Sequence, residues 1–268
     1  MEQLWELLGV GRGVTAVMGS GGKTSLLYEL AEELRPRGTV LLTTTTHIMK
    51  PAQYPFAGTA EELAAALASH GAACAGSYTP EGKLTAPDFG GWQQAADFVL
   101  VEADGSKRVP AKAHETWEPV LPPERTRTIC VLGASAFGQP IRQAAHRPAI
   151  YARLAGAPWS AAITPEMAAR VICAEGLCDV IYVNQVDDPA LTPPWAAAFA
   201  ETAGVPVVIG SLQARRWRRL TEVHNKTGGV PRAHLLFCYV NLFRCGQQGV
   251  GQPGVLRQTQ TLPTDGGG

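Results

Sequence analysis

The 268-residue chain carries 23 Lys and Arg against 23 Asp and Glu, and 46% of its residues are hydrophobic. Balanced charge leaves no global field to gather nucleic acid or an anionic membrane, so recognition has to come from local geometry. This length and apolar content suit one main core with at most a small appendage, and no apolar run is long enough to span a bilayer.

The first residues, Met1 to Leu8, include two acids and lack both the basic start and the long apolar centre of a signal peptide, so the chain reads as cytoplasmic. An apolar strand, Val14–Met18, then runs into Gly19-Ser20-Gly21-Gly22-Lys23-Thr24-Ser25, which opens a helix expected at 24–35. Glycines without Cβ let successive backbone N–H groups turn inward on a polyanion, and the helix N-terminus adds its positive dipole end. In such a cradle Lys23 reaches the terminal phosphates and Thr24 binds Mg²⁺. The usual pattern has a glycine five residues before Gly22, where this chain has Val17, so a compact variant of the loop is expected.

The second strand, Val40–Thr44, leads into Thr43-Thr44-Thr45-Thr46-His47 at the carboxyl end of the sheet, where open α/β folds bind ligands. Thr45 or Thr46 is a candidate contact for the metal or the γ-phosphate, and His47 is either a proton carrier or a surface residue. A helix is expected near 60–69. Turn chemistry at Pro80-Glu81-Gly82-Lys83 predicts an inserted hairpin near 74–87, serving as a lid or as decoration.

The third strand, Phe98–Glu102, ends in two carboxylates, Glu102 and Asp104, followed by Gly105-Ser106-Lys107-Arg108. A nucleotide hydrolase needs an acid at the end of a neighbouring strand to hold Mg²⁺ or its water, and Glu102 or Asp104 meets that need. Glu102-x-x-Gly105 has the spacing of the second GTPase switch. Thr128–Gly133 reads as a fourth strand, with Cys130 a small buried hydrophobe inside it. Six cysteines are scattered without a C-x-x-C pair, which signals neither zinc nor a disulfide framework.

Thr164-Pro165-Glu166 starts a helix over 164–175, with Thr as N-cap and Pro at the first helical position. The fifth strand, Val180–Asn184, continues into Gln185-Val186-Asp187, close to the N-K-x-D pattern that reads guanine. One carboxylate there accepts from both N1–H and the exocyclic amine. Asn184 and Asp187 are therefore candidate base-site residues, weakened by Gln185 where Lys is usual. A helix near 193–203 and a strand at Val205–Gly210 follow. The basic run Arg215–Arg219 reads as solvated surface, and the Gly-, Gln-, Pro- and Thr-rich stretch after it as a loosely attached tail over 214–268.

Strands alternating with helices predict a doubly wound, mainly parallel α/β sheet over 1–213 with helices on both faces, like that of a P-loop NTPase. Taken in order, the motifs at 19–24, 43–48, 102–108, 146–148, 163–166 and 184–187 resemble the YqeC family of selenium-dependent hydroxylase accessory proteins, also described as selenium cofactor biosynthesis proteins. The resemblance implies an accessory role in maturing molybdenum hydroxylases that carry labile selenium. The partners it implies are the hydroxylase, its molybdenum cofactor or a selenium-transfer protein. The loop pattern is also similar to the P-loop GTPase branch that includes nickel-insertion chaperones. On this reading the ligands are Mg²⁺ and GTP or ATP. Lys107, Arg108, Lys112 and His146-Arg147 either grip an anionic second ligand, such as a molybdopterin phosphate or selenium oxyanion, or supply charge at the γ-phosphate. Arg147 is named as a catalytic candidate with Lys23, Glu102 and Asp104. The rival readings are a small-molecule kinase with Asp104 as base, and a nucleotide-sensing scaffold that does not hydrolyse.

Overall fold

The computed structural model describes residues 2–46, 53–80, 82–188 and 193–220. The chain divides into two units, Met1–Val223 and His224–Gly268, and the second lies outside the described residues. The first unit runs α1 (Leu4–Leu8), β1 (Gly13–Gly19), α2 (Lys23–Leu34), β2 (Val40–Thr44), β3 (Phe56–Ala57), α3 (Ala60–His70) and β4 (Ala72–Ala75). A hairpin, β5 (Ser77–Tyr78) with β6 (Leu84–Thr85), precedes β7 (Phe98–Glu102), β8 (Ala111–Lys112) and β9 (Arg125–Gly133). Then come α4 (Ile141–Ala144), β10 (Ala145–His146), α5 (Pro148–Ala155), α6 (Pro165–Glu175), β11 (Val180–Asn184), α7 (Ala196–Ala203), β12 (Val207–Ser211) and β13 (Arg216–Leu220).

The main sheet has nine strands in the order β13-β12-β11-β9-β1-β7-β2-β4-β3. Every neighbouring pair is parallel except β12 with β13. This is the expected α/β doubly wound fold. Strands covered on both faces read as near-continuous apolar runs, which is why these strands were visible without alternation. The period of two still sorts the faces: Ala16, Met18, Leu132, Ile181 and Val183 pack with α5, α6 and α7, whereas Val17, Ile129, Val131, Leu100 and Tyr182 pack with α1 and α2. On the first face α3 and Trp92 cover Val14, Leu41, Val99 and Val101. Glu102 and Asn184 continue the α2-facing series of β7 and β11, two residues beyond Leu100 and Tyr182.

Local chemistry fixes the helix ends. Thr164 Oγ1 accepts from Met167 N at 3.1 Å, and Thr59 Oγ1 caps α3 in the same way. The short α1 is held by Glu33 of α2, whose carboxylate accepts from Leu4 N and Trp5 N at 3.0 and 2.9 Å. Burial pushes the Glu33 pKa up despite those hydrogen bonds.

Some boundaries differ from the sequence reading. The sheet continues past residue 213, because Arg216–Leu220 pairs antiparallel with β12. Its arginines conceal the outermost strand among the described residues, whose Trp217 packs on the α1–α2 core and donates Nε1–H to Glu2 O at 2.9 Å. Residues 221–268 of the expected tail lie outside the described residues. The hairpin is confined to 77–85, since Ala72–Ala75 belongs to the main sheet.

Candidate functional site

β1 lies between β7 and β9, and the chain leaving it passes over β7 through α2 to reach β2. The carboxyl end of β1 is thus the switch point of the sheet, where open α/β folds place their crevice. Three glycines form the turn there, all at positive φ: Gly19 at 91°, Gly21 at 93° and Gly22 at 127°. A Cβ on Gly19 would strike Val131 O, one on Gly21 the Gly133 backbone, and one on Gly22 the Asn184 amide. Ser20 is buried and braces the turn: its N–H donates to Val131 O at 2.8 Å and its hydroxyl to Val109 O. Among the described residues no side chain caps α2, which leaves its first-turn N–H groups open to a ligand or solvent. Val17, in place of a glycine, is fully buried in the α1–α2 core and pairs with Glu102 across the strands, so the turn needs no glycine there.

Lys23 is buried at 4% exposure, with Nζ donating to Gly19 O at 2.9 Å and to Ser106 Oγ at 3.1 Å. Its charge faces Asp104 Oδ1 at 3.2 Å and Glu102 Oε1 at 3.6 Å. Thr24 Oγ1 donates to Glu102 Oε2 at 3.0 Å. Burial raises the Glu102 pKa, and Lys23 and Thr24 oppose that rise. The pairing brings a hydroxyl and a carboxylate together at the first turn of α2, a hard-oxygen set that suits Mg²⁺. Among the described residues no cluster of three or more His, Cys, Asp or Glu is placed to hold a metal, so an ion here would draw its other ligands from a phosphate and water.

Asp104 differs from the expectation of a metal ligand or base. It is fully buried, and Oδ2 accepts from Gly19 N at 2.9 Å and from His114 Nε2 at 2.7 Å, with Lys112 Nζ at 3.2 Å. Burial alone would raise its pKa; the His114 hydrogen bond and the Lys23 and Lys112 charges override that and hold it at about 2. His114 in turn contacts Glu175 of α6, Nδ1 to Oε2, at 2.9 Å. Burial would lower the His114 pKa, but its hydrogen bonds to Asp104 and Glu175 raise it to about 9. Asp104 is therefore the hub of a buried charge relay beneath the glycine turn. His114 and Glu175 were missed in the sequence, although a basic pair, Lys112 and His114, alternating with Ala111 and Ala113 signals charge inside a core.

The cleft over Lys23 has a volume of about 380 Å³ and is lined by Gly21, Gly22, Thr24, Glu102, Ser106 and Arg108, among others. A second cleft of about 450 Å³ shares Ser25, Asn184 and Gln185 with it and continues to Tyr28, Asp187 and Leu212. Asn184 joins the two: Nδ2 donates to Gly21 O at 2.8 Å, and Oδ1 accepts from Leu212 N at 3.1 Å. It acts as a brace between the glycine turn and the loop after β12. Gln185, at a φ of 65°, accepts from Ser135 Oγ at 2.6 Å.

Two candidates stand elsewhere. Thr45 Oγ1 donates to Val120 O at 2.6 Å and does not line the Lys23 cleft. Arg147 is drawn away by Glu118, Nε to Oε1 at 3.0 Å, with its guanidinium 6.0 Å from the Trp117 ring centre. Lys112 also binds Glu118, at 2.8 Å, so Arg147 reaches the cleft only through a chain of ion pairs. His47 lies outside the described residues.

The family model described as YqeC protein matches residues 15–149. The chain belongs to the YqeC family. Over 159 residues it is 34% identical to the protein named "Uncharacterized protein YqeC" from Escherichia coli (strain K12), covering 53% of this chain and 60% of that protein. The chain thus spans less than two thirds of that relative's length. No solved structure matches. The YqeC segment contains the glycine turn, Glu102 and three members of the relay, Asp104, Lys112 and His114; Asn184 and Asp187 lie beyond it. No helix among the described residues is long and apolar enough to cross a membrane.

Proposed function

We propose that this YqeC-family chain binds a Mg²⁺–nucleoside triphosphate in the paired clefts, hydrolyses it, and acts as an accessory factor in maturing the selenium-containing molybdenum site of molybdenum hydroxylases. The nucleotide reading rests on the Thr24–Glu102 contact of 3.0 Å beside a buried Lys23, at the mouth of an uncapped α2. The cofactor role rests on the family resemblance alone.

In this reading the backbone amides of 19–24 and Lys23 bind the β- and γ-phosphates, and Thr24 with Glu102 holds Mg²⁺, which supplies charge neutralisation at the phosphates. Ser25 and Asn184 lie between the phosphate end and the base end. The base occupies the second cleft, with Asp187 accepting from a guanine edge. The kinase alternative is disfavoured because Asp104 is fully buried among Lys23, Lys112 and His114, which hold its pKa at about 2, too low for a general base.

Calorimetric titration with GTPγS and with ATPγS, each with and without Mg²⁺, tests the reading. Magnesium-dependent binding is expected, and absence of binding to either nucleotide rejects it. Asp187→Asn is expected to weaken GTPγS by about 10- to 100-fold, the worth of hydrogen bonds to a charged acceptor, while leaving ATPγS nearly unchanged. Equal loss for both nucleotides removes Asp187 from base reading.

A further inference from the structure

The residues already placed at the phosphate end are bound to one another, and one cation in that cleft is not. Of the two cations lining it, Lys23 faces Glu102 and Asp104, whereas Arg108 makes no hydrogen bond or ion pair with any described residue. Its backbone is held in a conformation that side chains rarely adopt, with φ of 46° at Lys107 and 60° at Arg108. Two consecutive residues at positive φ are strained, and persist only where the surroundings over-determine them.

Here the surroundings do so from both ends. Lys112 Nζ donates to Gly105 O at 2.6 Å, Val109 N to Ser106 O at 3.2 Å, and Gly133 N to Pro110 O at 2.8 Å. The Ser20 hydroxyl binds Val109 O, tying the loop to the glycine turn itself. Every one of these contacts fixes backbone, and none engages the guanidinium. The loop therefore presents an exposed arginine at the rim of the cleft that contains Lys23, Thr24 and Glu102. Ser106, two residues earlier, accepts from Lys23 at 3.1 Å, which places the start of this loop against the same ammonium.

We propose that Arg108 is a catalytic residue whose guanidinium binds the γ-phosphoryl oxygens as that group passes to water. The inference rests on the nucleotide reading above and extends it to the chemical step. The water oxygen forms the new bond to the γ-phosphorus, and the bond to the bridging oxygen breaks with its electron pair going to the nucleoside diphosphate. The proton of the water ends on the released phosphate. Arg108 moves no proton; its two parallel donors meet charge that grows on the equatorial and bridging oxygens. A lysine at this position offers a point charge without the planar fork, so the Arg108→Lys variant should retain only part of the effect.

Arginines that meet this charge are worth about 10³–10⁵ in kcat. Arg108→Ala is accordingly expected to lower kcat by about 10³-fold with less than a few-fold change in Mg²⁺–nucleotide affinity. Arg153→Ala, an exposed change on α5 outside both clefts, should leave both unchanged. A second readout separates chemistry from folding: the wild type with a fluorescent nucleoside diphosphate, Mg²⁺ and aluminium fluoride should form a long-lived complex, and Arg108→Ala should not. Normal turnover or normal fluoride trapping in Arg108→Ala overturns the proposal while leaving nucleotide binding intact. A wild type that binds nucleotide but neither turns over nor traps fluoride also overturns it, and a wild type that binds no nucleotide removes the reading beneath it.

Discussion

Lys23→Ala is expected to lose Mg²⁺–nucleotide binding by at least about 100-fold, because the substitution deletes charge-assisted hydrogen bonds worth about 1.5–3 kcal/mol each from a site with little other positive charge. The side chain is buried and already donates to Gly19 O and Ser106 Oγ, so it is oriented before any ligand arrives. Removing it also leaves Glu102 and Asp104 with one fewer counter-charge. Asp104 keeps His114 and Lys112 at 2.7 and 3.2 Å, so the hub survives and the chain should still fold. Among the described residues the Glu102 carboxylate then keeps Thr24 alone, and its pKa, already raised by burial, should rise further. Calorimetry on the folded variant, verified by far-ultraviolet circular dichroism, reads the result. Unchanged affinity would mean that the glycine turn is an architectural corner with no phosphate role.

The sequence made the central sheet legible because its strands are buried on both faces. Val14–Met18, Val40–Thr44, Phe98–Glu102 and Val180–Asn184 each lie within a strand of the structure. The glycine turn was legible for a similar reason: it sits between a strand and a helix, and each glycine meets a backbone or amide that a Cβ would strike. Two-residue strands such as Phe56–Ala57 carry no periodicity, and β13 was concealed by its arginines. The site was harder to read where partners come from distant segments. Nothing local to Asp104 announces Glu175, which meets it through His114, nor does the sequence around Arg147 announce that Glu118 holds it. Asn184 was assigned to the base through its motif, yet both ends of its amide are engaged in bracing loops.

Asp104→Asn should be the most destabilising change in the site. The carboxylate is fully buried against Lys23, Lys112 and His114, and an amide would leave those cations without their shared counter-charge. Breaking a buried pair in this way costs about 3–5 kcal/mol, readable as a lower denaturation midpoint in urea with an unchanged slope. The same relay predicts how wild-type stability depends on pH. His114 has its pKa raised to about 9 in the fold, against about 6.5 in the unfolded chain, so the folded state binds the extra proton between those values. Its contribution is fully present below about pH 6.5 and is lost as pH climbs through about 9, on the order of 3 kcal/mol in all. Asp104 works in the opposite direction: its pKa is lowered to about 2, so its contribution is present above the unfolded value and fails only in strong acid. A decline in melting temperature between pH 6.5 and 9 is therefore assigned to His114. In Asp104→Asn that decline should shrink, because Glu175 alone remains to hold the imidazolium. A wild-type curve flat across this window would show that His114 is neutral in the fold, whereas a variant that keeps the full decline would show that Asp104 does not raise the His114 pKa.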